Sequence, residues 1–188
     1  MGIIIGSIYN FFIPQEAVNY VIIIFFAVMA DLDIFFLKHI KEENHRMLIT
    51  HSAIPCIVIV ICALIFSQSY FFLLALSYFS HIIIDTVDWG VNLFYFPKKL
   101  FGLKLLISNE EQEKISDILN QYKHNQSFYN FRYYDSTIIL LLETLFFSVM
   151  LFSISLFALK YIYILLIYIF AFIFHFTYHQ RLKKLEFS

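Results

Sequence analysis

His81 and Asp85 stand four residues apart in the run SHIIIDTVDWG, so any helix they occupy shows both on one face, one turn apart. A histidine nitrogen and a carboxylate so spaced can share one metal ion, although the same pair also makes an ordinary helix-stabilising hydrogen bond. Asp31 and Asp33 in ADLDIF are two apart, which a regular helix would splay by about 200°. Both reach one site only where that helix ends or bends. His51, in THS, supplies a second imidazole. A mixed set of imidazoles and carboxylates suits Zn²⁺, Mn²⁺ or Fe²⁺, with Zn²⁺ and Mn²⁺ ahead. Asp31, His51, His81 and Asp85 are therefore the candidate metal ligands, and Glu143 in a later apolar run is a further candidate. Simpler readings stand beside these. Thr50 and Ser52 are natural helix N-caps, and Asp88 and Trp89 open a turn at Gly90. His39, His124, His175 and His179 read as interfacial anchors.

The chain that must position these groups is 61% hydrophobic, 20% aromatic and only 14% charged. Soluble domains average about 25% charged, and the mean hydropathy here is +0.76. These values imply an all-α integral membrane protein, since only paired backbone is stable in lipid and no barrel-like alternation is visible. Five apolar stretches could cross, roughly 17–37, 51–66, 70–86, 136–157 and 161–178. Together they make one multi-pass bundle over residues 1–188. The opening run, 3–13, is too brief to span and reads as a re-entrant or interfacial segment. Residues 97–135 form a long loop between spans three and four, in which SNEEQEKISDILNQYKHNQ reads as an amphipathic helix with Ile115, Ile118 and Leu119 on one face. Residues 136–178 form a C-terminal helix pair.

Charge orients this bundle. With five spans, every basic residue except Lys160 falls on one side: Lys38, Lys41 and Arg46, the lysines and Arg132 of the long loop, and the C-terminal Arg181, Lys183 and Lys184. That side is cytoplasmic by the positive-inside rule, with the N-terminus outside and the C-terminus inside the cell membrane. The uncharged parts of the first three spans fall short of the about 20 residues a crossing needs. Each must carry its polar residues partly into the membrane, at the cytoplasmic end. Intramembrane ionisable groups are costly and tend to be functional. A net charge of −1 and the lack of a basic patch interleaved with aromatics give no expectation of nucleic acid. Cys56 and Cys62 read as small hydrophobes.

The ordered set ADLDIF, HRMLITHS and SHIIIDTVDWGVNLFYFP, over residues 17–100, resembles the YdjM-like family of inner-membrane proteins, described as metal-dependent hydrolases. The chain departs from that pattern at Ala30 (commonly Pro), at Ile34 (often His) and in one extra residue between Arg46 and Thr50. It also lacks a histidine common near the family's N-terminus. The resemblance implies a metal held by His51, His81 and Asp85 with Asp31 or Asp33, the remaining carboxylate, Asp33, serving as proton acceptor. It places His45 and Arg46 in polarising or anion-binding roles, since the guanidinium fork fits phosphate or carboxylate. A site at interfacial depth favours amphiphilic substrates such as phospholipids or lipid-linked phosphates. No His-Glu-x-x-His or Gly-x-Ser-x-Gly is present, and in EENHR the arginine falls one position early for a CAAX-type protease. The alternatives are a non-catalytic metal-binding membrane protein, a transporter using the same ligands, or a scaffold retaining the metal for stability.

Overall fold

The computed structural model describes residues 1–35, 45–96 and 99–188, except for the side chains of Ile34, Phe35 and His45. Lys38, His39, Lys41, Pro97, Lys98 and the His45 side chain, named above, therefore lie outside the described residues. Those residues form helices α1 (Gly2–Phe12), α2 (Ala17–Val28), α3 (Ala53–Ile65), α4 (Ser69–Asp88), α5 (Asn109–Glu113), α6 (Ile115–Leu119), α7 (Asn125–Asp135), α8 (Thr137–Phe157) and α9 (Leu165–Phe187). No extended strand occurs among the described residues, only one antiparallel bridge between Val91 and Phe101.

Among the described residues, three stretches are long and apolar enough to cross a membrane: Ser69–Asp88, Thr137–Phe157 and Leu159–Phe187. The outer faces of α8 and α9 leave Leu141, Phe152, Ile167, Phe170 and Phe174 more than half exposed, as suits helices solvated by lipid rather than water. The other apolar helices are shorter. Of these, α1 folds back along α2 and also packs on α8. The Tyr20 hydroxyl bonds Ser7 Oγ at 2.6 Å and the Ile3 carbonyl at 3.2 Å, and Gly2 lets the backbones meet beside Ala27. Its opening turns are thus part of the core.

Helix α4 is the centre of the bundle and sets the register of the site. It runs parallel to α2, because Tyr70 bonds the Asn19 carbonyl (2.7 Å) and Ser77 the Ile23 carbonyl (2.6 Å). It runs antiparallel to α3, since Cys56 near the start of α3 reaches the Ala75 carbonyl. The C-terminal ends of α2 and α4 and the N-terminal end of α3 consequently come together.

That end carries a cap. Helix α4 stops at Gly90, whose φ of +80 is the left-handed conformation of a helix C-terminus, and its amide bonds the Asp85 carbonyl at 2.8 Å. Three of the last α4 carbonyls, of Thr86, Val87 and Asp88, accept from the amides of Lys104, Leu105 and Leu106. Gly102 makes this approach possible, because a Cβ there would stand 2.0 Å from the Thr86 carbonyl oxygen.

The expected amphipathic helix of the long loop is divided. A capping box between Ser108 and Glu111 starts α5, the chain breaks at Lys114, and α6 carries Ile118 and Leu119 onto Trp89, Phe128 and Ile139. Helices this short owe their stability to packing, so docking onto Trp89 and Phe128 decides where the helix breaks.

Candidate metal centre

The helical hydrogen-bonding of α2 tightens at Met29, and Met29–Phe35 continues as a 3₁₀ turn. This is the change of geometry that the Asp31–Asp33 spacing requires. Ser52 opens α3 as its N-cap, accepting from the Ile54 amide at 3.2 Å, and His51 sits just before it in a short 3₁₀ turn, fully buried. Thr50 is no cap. Its hydroxyl donates to Asp33 Oδ2, and its carbonyl accepts the Tyr78 hydroxyl. Tyr78, His81 and Asp85 share one face of α4.

Four side-chain atoms meet where these elements converge. Asp31 Oδ1 lies 3.5 Å from His51 Nε2 and 3.3 Å from His81 Nε2. Asp85 Oδ2 lies 3.3 Å from His51 Nε2 and 3.4 Å from His81 Nε2. Nitrogen and oxygen alternate around a closed ring, and all four atoms lie within 4.8 Å of one another. A point equidistant from four atoms with such edges is about 2.1 Å away if the ring is folded to a tetrahedron and about 2.4 Å if it is flat. Those are metal–ligand bond lengths. The His81 Nε2 and Asp85 Oδ2 atoms are buried and make no hydrogen bond among the described residues. Their contacts are ion pairs with the ring atoms beside them, and a cation at the centre of the ring would be liganded by both. The donor set fits a divalent metal.

The surroundings fix the ring. Asp33, 6% exposed, lies 3.0 Å from His51 Nδ1 through Oδ2 and turns Nε2 of that imidazole to face the ring. Arg46 Nη2 stands 3.6 Å from Asp85 Oδ1, the outer oxygen of that ligand, and the guanidinium carbon lies 5.8 Å from the centre of the Trp89 ring. Arg46 also lines a cavity of about 150 Å³ with Trp89, Gln112 and Tyr129 beneath the cap. Access is one-sided. The side chains of His51, Asp85 and His81 are 0%, 8% and 15% exposed, whereas that of Asp31 is 47% exposed.

All four sequence-selected ligands are thus brought together. Asp33 lies behind His51 rather than in the ring, and Arg46 lies behind Asp85. Glu143 is elsewhere, on α8, with its carboxylate accepting from Tyr133. Asp88 ends α4 beside the Gly90 turn. Sequence reasoning overlooked Tyr78, although its three-residue spacing from His81 marks it on the same face, and it overlooked the stacking role of Trp89. No family model, curated protein or solved structure matches this chain.

Proposed function

We propose that the chain is a YdjM-like, five-span protein of the cell membrane, with its C-terminus in the cytoplasm, that uses one divalent cation to hydrolyse a phospholipid or lipid-linked phosphate. The reading rests on the alternating ring of Asp31, His51, His81 and Asp85, gathered at one end of α2, α3 and α4. Zn²⁺ or Mn²⁺ is the cation expected from two imidazoles and two carboxylates. When bound, the ion supplies Lewis acidity toward a phosphoryl oxygen and lowers the pKa of water.

The chain's own residues do the rest. Asp33, against His51 Nδ1, orients the imidazole so that its other nitrogen is turned to the ring, where it would serve as a ligand. Arg46 restrains the outer oxygen of Asp85, aiming the inner one at the centre. The exposure of Asp31 supports approach of substrate from its side, and its carboxylate is the one best placed to take a proton to solvent. The cavity walled in part by Arg46 and Gln112 lies on the Arg46 side of Asp85, where an anionic group would meet a guanidinium. His45 enters this reading from its motif alone.

The test is phosphate release from phosphatidate and a lipid diphosphate in neutral vesicles, by purified protein loaded with Zn²⁺ or Mn²⁺. Release that vanishes in a His51→Ala variant is expected. Metal-loaded protein that releases no phosphate from either lipid would overturn the hydrolase reading and leave the non-catalytic binder.

A further inference from the structure

Glu143 is the one ionisable residue of α8, and the metal centre does not use it. It lies about 9 Å along the helix axis from the first residue of α8, at 1.5 Å per residue, within a stretch apolar enough to cross a membrane. An ionisable group at that depth calls for a partner. The Tyr133 hydroxyl gives its Oε2 one hydrogen bond, and no cationic side chain is paired with it among the described residues.

Helices α8 and α9 are joined by the Leu159–Ile164 turn at one end and bridged by α7 at the other. Between them lies a slot of about 470 Å³, in the size range of small-molecule sites. One end is closed by Phe147 stacked on Tyr168 (5.4 Å, 23°). The other is closed by Tyr134 stacked on His175 (5.5 Å, 25°), with their hydroxyl and Nδ1 3.0 Å apart. The walls between are Leu140, Thr144, Ile169, Phe172 and Phe176, with Glu143 set among them. Phe172 and Ile169 are 52% and 45% exposed on the faces that lipid would cover.

A carboxylate among aromatic rings is the chemistry that recognises an organic ammonium group, through charge and through the rings' negative faces. A single carboxylate whose neighbouring oxygens are the neutral hydroxyls of Tyr133, Tyr134, Thr144 and Tyr168 is a poor metal site, and a carboxylate disfavours anionic heads. The geometry points to the slot as a binding site for an amphiphile with an ammonium head, its nitrogen against Glu143 and its hydrocarbon along Ile169 and Phe172. This site is independent of the metal centre and of the hydrolase reading.

Primary and quaternary ammonium heads share this chemistry, so both are used as probes. Purified full-length protein in a neutral detergent is photolabelled with a diazirine-bearing dodecylamine and, separately, with the matching dodecanol. The amine is expected to label peptides of α8 and α9, to be displaced by dodecyltrimethylammonium or by plain dodecylamine, and to outcompete the alcohol. Displacement by one head alone identifies which is bound. Glu143→Gln is expected to weaken labelling about five- to thirtyfold, and Glu143→Asp to retain most of it. Equal labelling by amine and alcohol in the unaltered protein overturns the proposal whether or not the variants fold, as does wild-type labelling in a folded Glu143→Gln protein.

Discussion

Asp33 Oδ2 lies 3.0 Å from His51 Nδ1, on the side of the imidazole opposite the nitrogen that faces His81 and Asp85. The bond orients a buried ring and selects its tautomer, so Asp33 should govern metal affinity without touching the metal. Asp33→Ala is expected to weaken metal binding about 10- to 100-fold, the usual effect of losing such a partner. Competition titration against a chelator of known affinity reads this directly. Unchanged affinity would mean that His51 is held by its packing alone.

The cap over α4 depends on the absence of a side chain at one position. A Cβ on Gly102 would meet the Thr86 carbonyl oxygen at 2.0 Å, and its φ of +134 disfavours any other residue. Gly102→Ala is therefore expected to cost about 2–4 kcal/mol of stability. It should also speed hydrogen exchange at the Leu105 and Leu106 amides, which bond the last carbonyls of α4. Wild-type exchange at both would place the cap's anchorage elsewhere.

The placement of α1 in the core rests on a buried hydroxyl. Tyr20→Phe removes the partner of Ser7 Oγ, which is itself fully buried, and is expected to destabilise the fold by about 1–3 kcal/mol. Adding Ser7→Ala should recover part of that loss, because no orphaned hydroxyl then remains. Thermal unfolding of the two variants in detergent measures both effects.

A pH response is expected outside the membrane-spanning helices. The Ser108 backbone amide, followed by Arg132, holds the Glu111 carboxyl below its ordinary value of 4.5. Because the folded form has the lower pKa, its stabilisation of α5 is fully present above pH 4.5 and fades as pH falls through the lowered value. Amide exchange over residues 109–113 should accelerate in that acid range in the wild type and show little such response in Glu111→Gln.

His81 and Asp85 were legible in the sequence because a four-residue spacing fixes their relation whatever surrounds them. Asp31 and Asp33 were legible only as a condition, that the helix change there, and the 3₁₀ turn at Met29–Phe35 meets it. Which aspartate faces the ring and which lies behind His51 depends on how α3 enters the bundle, and no local pattern encodes that. The same holds for Arg46, whose contact with Asp85 is made across two segments distant in the chain. Glu143 was visible as an anomaly in an apolar run. Its surroundings were not, since the slot is lined from α7, α8 and α9 together. The division of the loop helix at Lys114 was hidden because its apolar face continues in register while the backbone breaks.

The central claim is that the ring of Asp31, His51, His81 and Asp85 holds a divalent metal. It is tested most directly by the metal content of detergent-purified protein, measured by elemental mass spectrometry beside a His81→Ala, Asp85→Ala double variant. About one equivalent of Zn²⁺ or Mn²⁺ per chain is expected in the wild type and almost none in the variant. Far less than one equivalent in both proteins, even after incubation with either ion, would contradict it.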